Sequence, residues 1–322
     1  MSRYINPFTD TGFKIIFGTE NQSEVILKGF LNELFRDQPN FEEIREVRFI
    51  NNERTRDNQK GKTIIHDVIC TTEHGHRFIV EMQKENKDDF LYRSLYYLCR
   101  AVTDQIRIAS SDKGIKGFRF LPVVGVFICD FNIRELDKEV VNHYMFNNTK
   151  SGRPLSSSLR SCYIQLPQFN KRWEECDTKF EQWLFILKNM YTLNEFPPLT
   201  RKDEVFARLE EVASYSALSE EDRIAYEADL RWVSEYEEEM RTAKRIAAEE
   251  GMAKGLEEGK AIGLAEGRAE GKIQGRAEGR AEGERLQALK TAEFLLKENM
   301  PLELIAKATS LSIEEIKKEF GV

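Results

Sequence analysis

Two short runs rich in β-branched and aromatic residues, TIIHDVIC (63–70) and RFIVEMQ (77–83), lie on either side of the turn-forming residues TTEHGH. Runs of this length bounded by turn residues read as paired strands, and EHG (73–75) fits a three-residue hairpin loop with Gly75 in the left-handed region. In that register Cys70 faces Phe78, Val68 faces Val80 and Asp67 faces Glu81. Side chains alternate faces along a strand, so Ile65, Asp67 and Ile69 share one face with Ile79, Glu81 and Gln83.

Directly opposed Cβ atoms lie about 4.5–5.5 Å apart, where like charges repel, and a carboxylate among apolar strand residues is costly without compensation. Isoleucines flank both acids on their own face, which solvent alone would not explain. Two such facing acids call for a cation between them or a shared proton. Oxygen-only ligation suits Mg²⁺, which takes one or two carboxylates and keeps its other positions for water or phosphate oxygen. Water and a phosphate activated by one ion are the apparatus of phosphodiester hydrolysis. Gln83 points the same way, where it can orient a water or contact a phosphate.

The rest of the chain supports a mixed α/β architecture. A helix is expected over SEVILKGFLNELF, with Ser23 as N-cap, followed by a strand in IREVRFI. After the hairpin come a long amphipathic helix, DFLYRSLYYLCRAVTDQIRIA, and strands in FLPVVGVFICDF and SCYIQLPQF. From about residue 172 the pattern turns helical. A mixed sheet flanked by helices, followed by a helical C-terminal extension, is the fold this order suggests.

At this point the residues resemble a known family. An Asp, a strand-turn-strand spacing and then Glu-x-Lys or a variant is the core of the PD-(D/E)XK nuclease superfamily. In detail the chain resembles the Rpn family of recombination-promoting nucleases, also described as transposases. The matching stretches are NPFTDTGFKIIFG, HDVICTTEHGHRFIVEMQ, FLYRSLYYLCRAVTDQ, VVGVFICDF and a glycine repeat near the C-terminus. The resemblance implies a restriction-endonuclease-like α/β fold and a Mg²⁺-dependent DNA endonuclease acting in recombination or mobile-element biology. It implies Asp67 and Glu81 as metal ligands, with Gln83 in the place of the superfamily lysine. That departure leaves open what supplies positive charge near the nucleophile. The superfamily also takes an acid from its first helix region; Asp10 and Glu33 are the candidates, and Asp10 is preferred because it sits in a matching stretch, although it reads equally well as a turn or N-cap residue.

Other residues are weighed beside these. Arg93, Tyr96 and Arg100 lie three and four apart, so one helix face can offer guanidinium groups to phosphates, although Arg beside aromatics is also ordinary on a helix packed against a sheet. The loop NERTRDNQKGK carries Arg54, Arg56, Lys60 and Lys62 just before the Asp67 strand, where they can guide a DNA backbone or merely be solvated. His74 and His76 flank the turn glycine, where they can bind a metal, although two His at a hairpin tip more often read as exposed; His66 reads as structural. No G-x-S-x-G and no P-loop is present.

Composition narrows the setting. The net charge of −7 argues against a protein that coats nucleic acid, yet residues 1–200 carry 28 Lys/Arg against 27 Asp/Glu, and the remainder 20 against 28. The acidity therefore belongs to the C-terminal part, and a local basic patch on the first part remains available to phosphates. Five scattered cysteines without C-x-x-C read as reduced thiols in the core. No apolar run approaches the roughly 20 residues of a membrane helix, and no secretory signal begins the chain, so the expected location is the cytoplasm.

Glycines occupy 251, 255, 259, 263, 267, 271, 275, 279 and 283 in strict period four. In a helix each costs about 1 kcal/mol against alanine, yet the intervening Ala, Glu, Arg, Leu and Lys favour helix. On a helical wheel, Arg268, Lys272, Arg276 and Arg280 flank the glycines on one side and Glu266, Glu270, Glu278 and Glu282 on the other. In a parallel pair those flanks meet, so residues 250–284 are expected to form a homodimer, the alternative being a flexible linker. The expected organisation is a nuclease-like domain over 1–200, a helical extension over 201–249, the ladder over 250–284 and a small helical pair over 285–322. The competing reading is a non-catalytic interaction or regulatory protein that keeps the fold and dimerises through the ladder.

Overall fold

The computed structural model describes residues 2–39, 41–50, 68–111 and 120–322, with only the backbone described at 107–111 and 199. Asp67, His66 and the basic loop with Arg54, Arg56, Lys60 and Lys62 lie outside the described residues. By contact the chain divides into two compact units, Met1–Tyr236 and Glu237–Val322.

The first unit is built on a six-stranded sheet of order β1-β2-β3-β4-β6-β5. Its strands are β1 (Val47–Phe49), β2 (Val68–Thr72), β3 (Arg77–Gln83), β4 (Val123–Cys129), β5 (Val141–Met145) and β6 (Leu159–Gln165). β2 and β3 form an antiparallel hairpin in the register expected, with Val68 opposite Val80 and Cys70 opposite Phe78. Its turn is the three-residue loop at 73–75. Thr72 N donates to His76 O at 3.0 Å and Gly75 N to Thr72 O at 2.9 Å, while Gly75 has φ +76°, a conformation that side chains with a Cβ rarely adopt.

β4 runs parallel to both β3 and β6. The β3-to-β4 crossover carries α3 (Phe90–Ser111), whose Leu98 and Ala101 bury against Ile79 and Val123. The opposite face of β3, Phe78, Val80 and Met82, belongs to the main core. That core is closed by α1 (Asp10–Phe17), α2 (Glu24–Phe35), α4 (Lys179–Asn189) and α5 (Glu204–Val212). Helices therefore cover both faces, which is why β3 and β4 read as near-continuous buried runs.

Two elements were not expected from sequence. The entry segment forms α1, capped by Thr9 Oγ1, which accepts from Gly12 N at 3.0 Å. Its Phe13, Ile16 and Phe17 supply the buried face. β5 is an edge strand with three exposed positions, so its sequence lacks the alternation that marks a half-buried strand. Ser23 stands at the start of α2 without capping it; its hydroxyl donates to Ile15 O and accepts from Thr19 N, tying α1 to α2. Of the cysteines, Cys70, Cys129 and Cys162 are core residues as expected, whereas Cys99 is exposed and Cys176 half-buried.

α6 (Glu220–Lys297) contributes its first turns to the first unit, where Tyr226 OH accepts from Asn6 N at 2.7 Å and Asp229 accepts from Thr11 N at 2.7 Å. In the second unit the same helix carries all nine ladder glycines on exposed turns. It stops at Asn299, whose φ of 56° with Met300 N donating to Leu295 O closes a Schellman-type end before Pro301. α7 (Leu302–Thr309) and α8 (Ile313–Phe320) then pack Ile305 and Ile316 around Ala292. No helix among the described residues is long and apolar enough to cross a membrane.

Candidate active site

β3 is flanked on both sides by hydrogen-bonded strands, so its outward-facing side chains are reached only from the α3 face or from the strand's end. Glu81 and Gln83 lie on that face, opposite Phe127 and Cys129 of β4. Glu81 is 2% exposed and Gln83 9%. A charge this deep is costly unless hydrogen-bonded or paired, and the structure supplies both kinds of partner. Gln83 Nε2 donates to Glu81 Oε1. Arg93, one turn into α3, donates through Nη2 to Gln83 Oε1 at 3.1 Å, and the same nitrogen lies 3.9 Å from Glu81 Oε1.

The Arg93 side chain is 25% exposed, with its Nε buried, so it leads from the buried acid toward the surface. Its guanidinium carbon lies 6.0 Å from the centroid of the Phe90 ring. The floor beneath is aromatic: Phe90 meets Phe127, Phe131 and Tyr163 edge-on, and Phe127 stacks on Tyr163 at 5.1 Å. Tyr163 OH shares a 2.7 Å hydrogen bond with Ser94 Oγ, fixing α3 to β6. Burial raises the Tyr163 phenol above its ordinary value. Burial, and then the charge of Glu81, holds the Cys129 thiol well above its own.

The sequence-derived candidates fall into three groups. Glu81, Gln83 and Arg93 come together. Asp10 opens α1 and accepts from Lys14 Nζ at 2.9 Å, with Thr9 rather than Asp10 acting as the cap. Glu33 pairs with Arg36 on α2. Asp67, Arg56 and Lys62 lie outside the described residues. Tyr96 is half exposed, and Arg93 turns toward Gln83. At the hairpin tip the His74 and His76 rings are 6.2 Å apart, with His74 Nε2 3.6 Å from Glu42. Burial lowers the His76 pKa.

The sequence named Arg93 but not its link to Gln83. The signal was topological: Arg93 stands one turn into the crossover helix that follows β3, and the carboxyl end of a parallel strand is where such a helix begins and ligands gather. Glu81 supplies the carboxylate of the described site, and carboxylate oxygen is a donor type that suits a hard divalent cation. Among the described residues no three His, Cys, Asp or Glu converge as a metal-ligand group, and Asp67 is outside that search.

A family model described as PD-(D/E)XK nuclease family transposase matches residues 7–243, well over half of the chain. No curated protein and no solved structure matches it.

Proposed function

The chain belongs to the PD-(D/E)XK nuclease family transposases, and on that footing we propose that it is a Mg²⁺-dependent DNA endonuclease acting in recombination or mobile-element biology. The observation that carries the reading is the Glu81 carboxylate, 2% exposed in a central strand and joined through Gln83 to the partly exposed side chain of Arg93. Burial on this scale works against stability, so the acid has a use beyond folding.

In this reading Asp67 and Glu81 hold the ion, Gln83 stands in the place of the superfamily lysine, and Asp10 is the acid from the first helix. The oxygen donors fit Mg²⁺, and the chemistry such an ion supplies is Lewis acidity toward water and phosphoryl oxygen. Phosphodiester hydrolysis forms one bond from water oxygen to phosphorus, breaks one phosphorus–oxygen bond of the backbone and passes a proton to the departing alkoxide. The chain's own residues orient that event: Glu81 is immobilised by its strand and by Gln83, and the aromatic floor of Phe127 and Tyr163 keeps bulk water from beneath it. Arg93, Arg56 and Lys62 contact DNA phosphates. The protein acts in the cytoplasm as a homodimer through residues 250–284, an arrangement that brings two sites to one duplex.

Incubation of supercoiled plasmid with the purified chain and Mg²⁺ tests the activity. Native protein converts the plasmid to nicked or linear forms, while Asp67→Ala and Glu81→Ala, checked for native circular dichroism, leave it supercoiled. Folded native protein without cleavage, or variants that cleave as well as it does, would refute the assignment.

A further inference from the structure

Gln83 is uncharged, yet both polar ends of its amide are used. Nε2 faces the Glu81 carboxylate and Oε1 faces the Arg93 guanidinium. An amide is the side chain that can do this, since it carries a donor for the acid and an acceptor for the cation on one rigid plane. A lysine at 83 would repel Arg93, and a glutamate would repel Glu81.

Arg93 has donors to spare. A guanidinium offers five N–H groups in a planar fork; Nη2 engages Gln83, and the buried Nε has no partner among the described residues. The helix that carries Arg93 is anchored by Phe90, Leu98 and Ala101 in two apolar clusters and by the Ser94–Tyr163 bond one residue away. Its fork is thus held at the mouth of the site by a clamp on one side and a rigid helix on the other.

We propose that Gln83 is a positioning residue that clamps the Arg93 guanidinium beside Glu81, and that Arg93 is the cation that meets the DNA phosphate at this site. The inference rests on the endonuclease reading. It replaces the idea that Gln83 acts on the nucleophile: the positive charge sits on α3, ten residues further along the chain, and the amide is its holder. A bidentate guanidinium–phosphate contact is the geometry such a fork favours.

The test uses the full chain and a fluorescein-labelled DNA duplex of random sequence, with binding measured by anisotropy in Ca²⁺ across a salt series and cleavage measured separately in Mg²⁺. Loss of one phosphate contact reduces the slope of log affinity against log salt by about one. Arg93→Ala shows that reduction and loses about 10²-fold in cleavage rate, on the scale of removing one donor from a transition-state anion site. Arg93→Lys keeps the slope.

Gln83→Ala lowers cleavage in the same direction, and adding it to Arg93→Ala costs little more, as expected for residues that act as one unit. The pair Gln83→Lys with Arg93→Ala recovers slope and cleavage relative to Arg93→Ala, because one positive charge is restored beside Glu81. An unchanged slope in Arg93→Ala, or fully additive losses from Gln83→Ala and Arg93→Ala, overturns the proposal. The two readings fail separately. A chain whose binding depends on Arg93 but which never cuts refutes the nuclease assignment alone, and a chain that cuts equally well without Arg93 refutes this one alone.

Discussion

Glycine means different things in the two units. In the first, a Cβ at Gly12 would lie 2.1 Å from Asn6 O and 2.6 Å from Thr9 Oγ1, and one at Gly125 would lie 2.6 Å from Phe127 Cε2 and 3.0 Å from Leu98 Cδ2. In the second, a Cβ at any of the nine ladder glycines would meet nothing within 4 Å. The first set is explained by the chain's own packing. The second is a helix cost of about 1 kcal/mol per residue that no contact among the described residues offsets, and the proposed pairing with a second chain is the reading that gives it a use. Charge follows the same division: the sheet unit buries Glu81 and ties it to two neighbours, whereas the ladder's acids and bases are all exposed.

The sharpest way to break that contrast is Gly12→Ala. The obstruction is a backbone oxygen, which cannot swing aside, plus the hydroxyl that caps α1, which can turn away only by giving up the cap, so the loss should reach about 3 kcal/mol or exceed it, at the upper end of overpacking costs. The urea midpoint reads it. Gly125→Ala comes next, at about 1–3 kcal/mol, because its obstacles are side chains that can shift. It carries a second readout. Phe127 lies opposite Glu81 on the neighbouring strand and floors the site, so a ring displaced by the new methyl should lower cleavage beyond what the fraction unfolded explains. A Gly125→Ala chain as stable and as active as the native one would mean that the sheet unit does not need its glycines either, and the comparison would lose its basis.

How much of this was legible beforehand follows the range of the forces involved. The hairpin register could be read because a three-residue turn with glycine at its last position and two runs of β-branched residues leave one alignment, and the structure has it. The mixed sheet with covered faces could be read from uninterrupted apolar strands and the crossover helix between them. β5 could not, because an edge strand has little burial to write into its sequence. Ser23 looked like a cap by position, but with α1 close by its hydroxyl oxygen accepts from Thr19 N and its proton goes to Ile15 O, so it does not accept from the first turn of α2. The Gln83–Arg93 link was invisible for a similar reason. It depends on how α3 returns over β3, a tertiary fact, and the local pattern around Arg93 fits a phosphate contact and a packing residue equally well.

The smallest effect per substitution, and the one that addresses the second unit, comes from replacing ladder glycines by alanine in the full chain. Gly267→Ala and Gly271→Ala each add about 1 kcal/mol to helix stability with no clash inside the chain, so a protein that used the ladder only as a spacer should melt higher and otherwise behave as before. If parallel helices approach through the glycines, each methyl also pushes their axes apart. The Arg and Lys flank of one chain then meets the Glu flank of the other less closely, and the dimer dissociates at higher protein concentration. Sedimentation equilibrium and circular dichroism on the same samples separate these effects. Greater helicity with weaker association supports the ladder as the contact, while greater helicity with unchanged or tighter association removes it. The stripe drifts about 40° per four residues on a 3.6-residue helix, so a contact along its whole length requires the two helices to wrap with a right-handed twist. Substitutions at the two ends of the ladder, Gly251→Ala and Gly283→Ala, should then weaken the dimer less than central ones, because a frayed end gives up fewer neighbouring contacts.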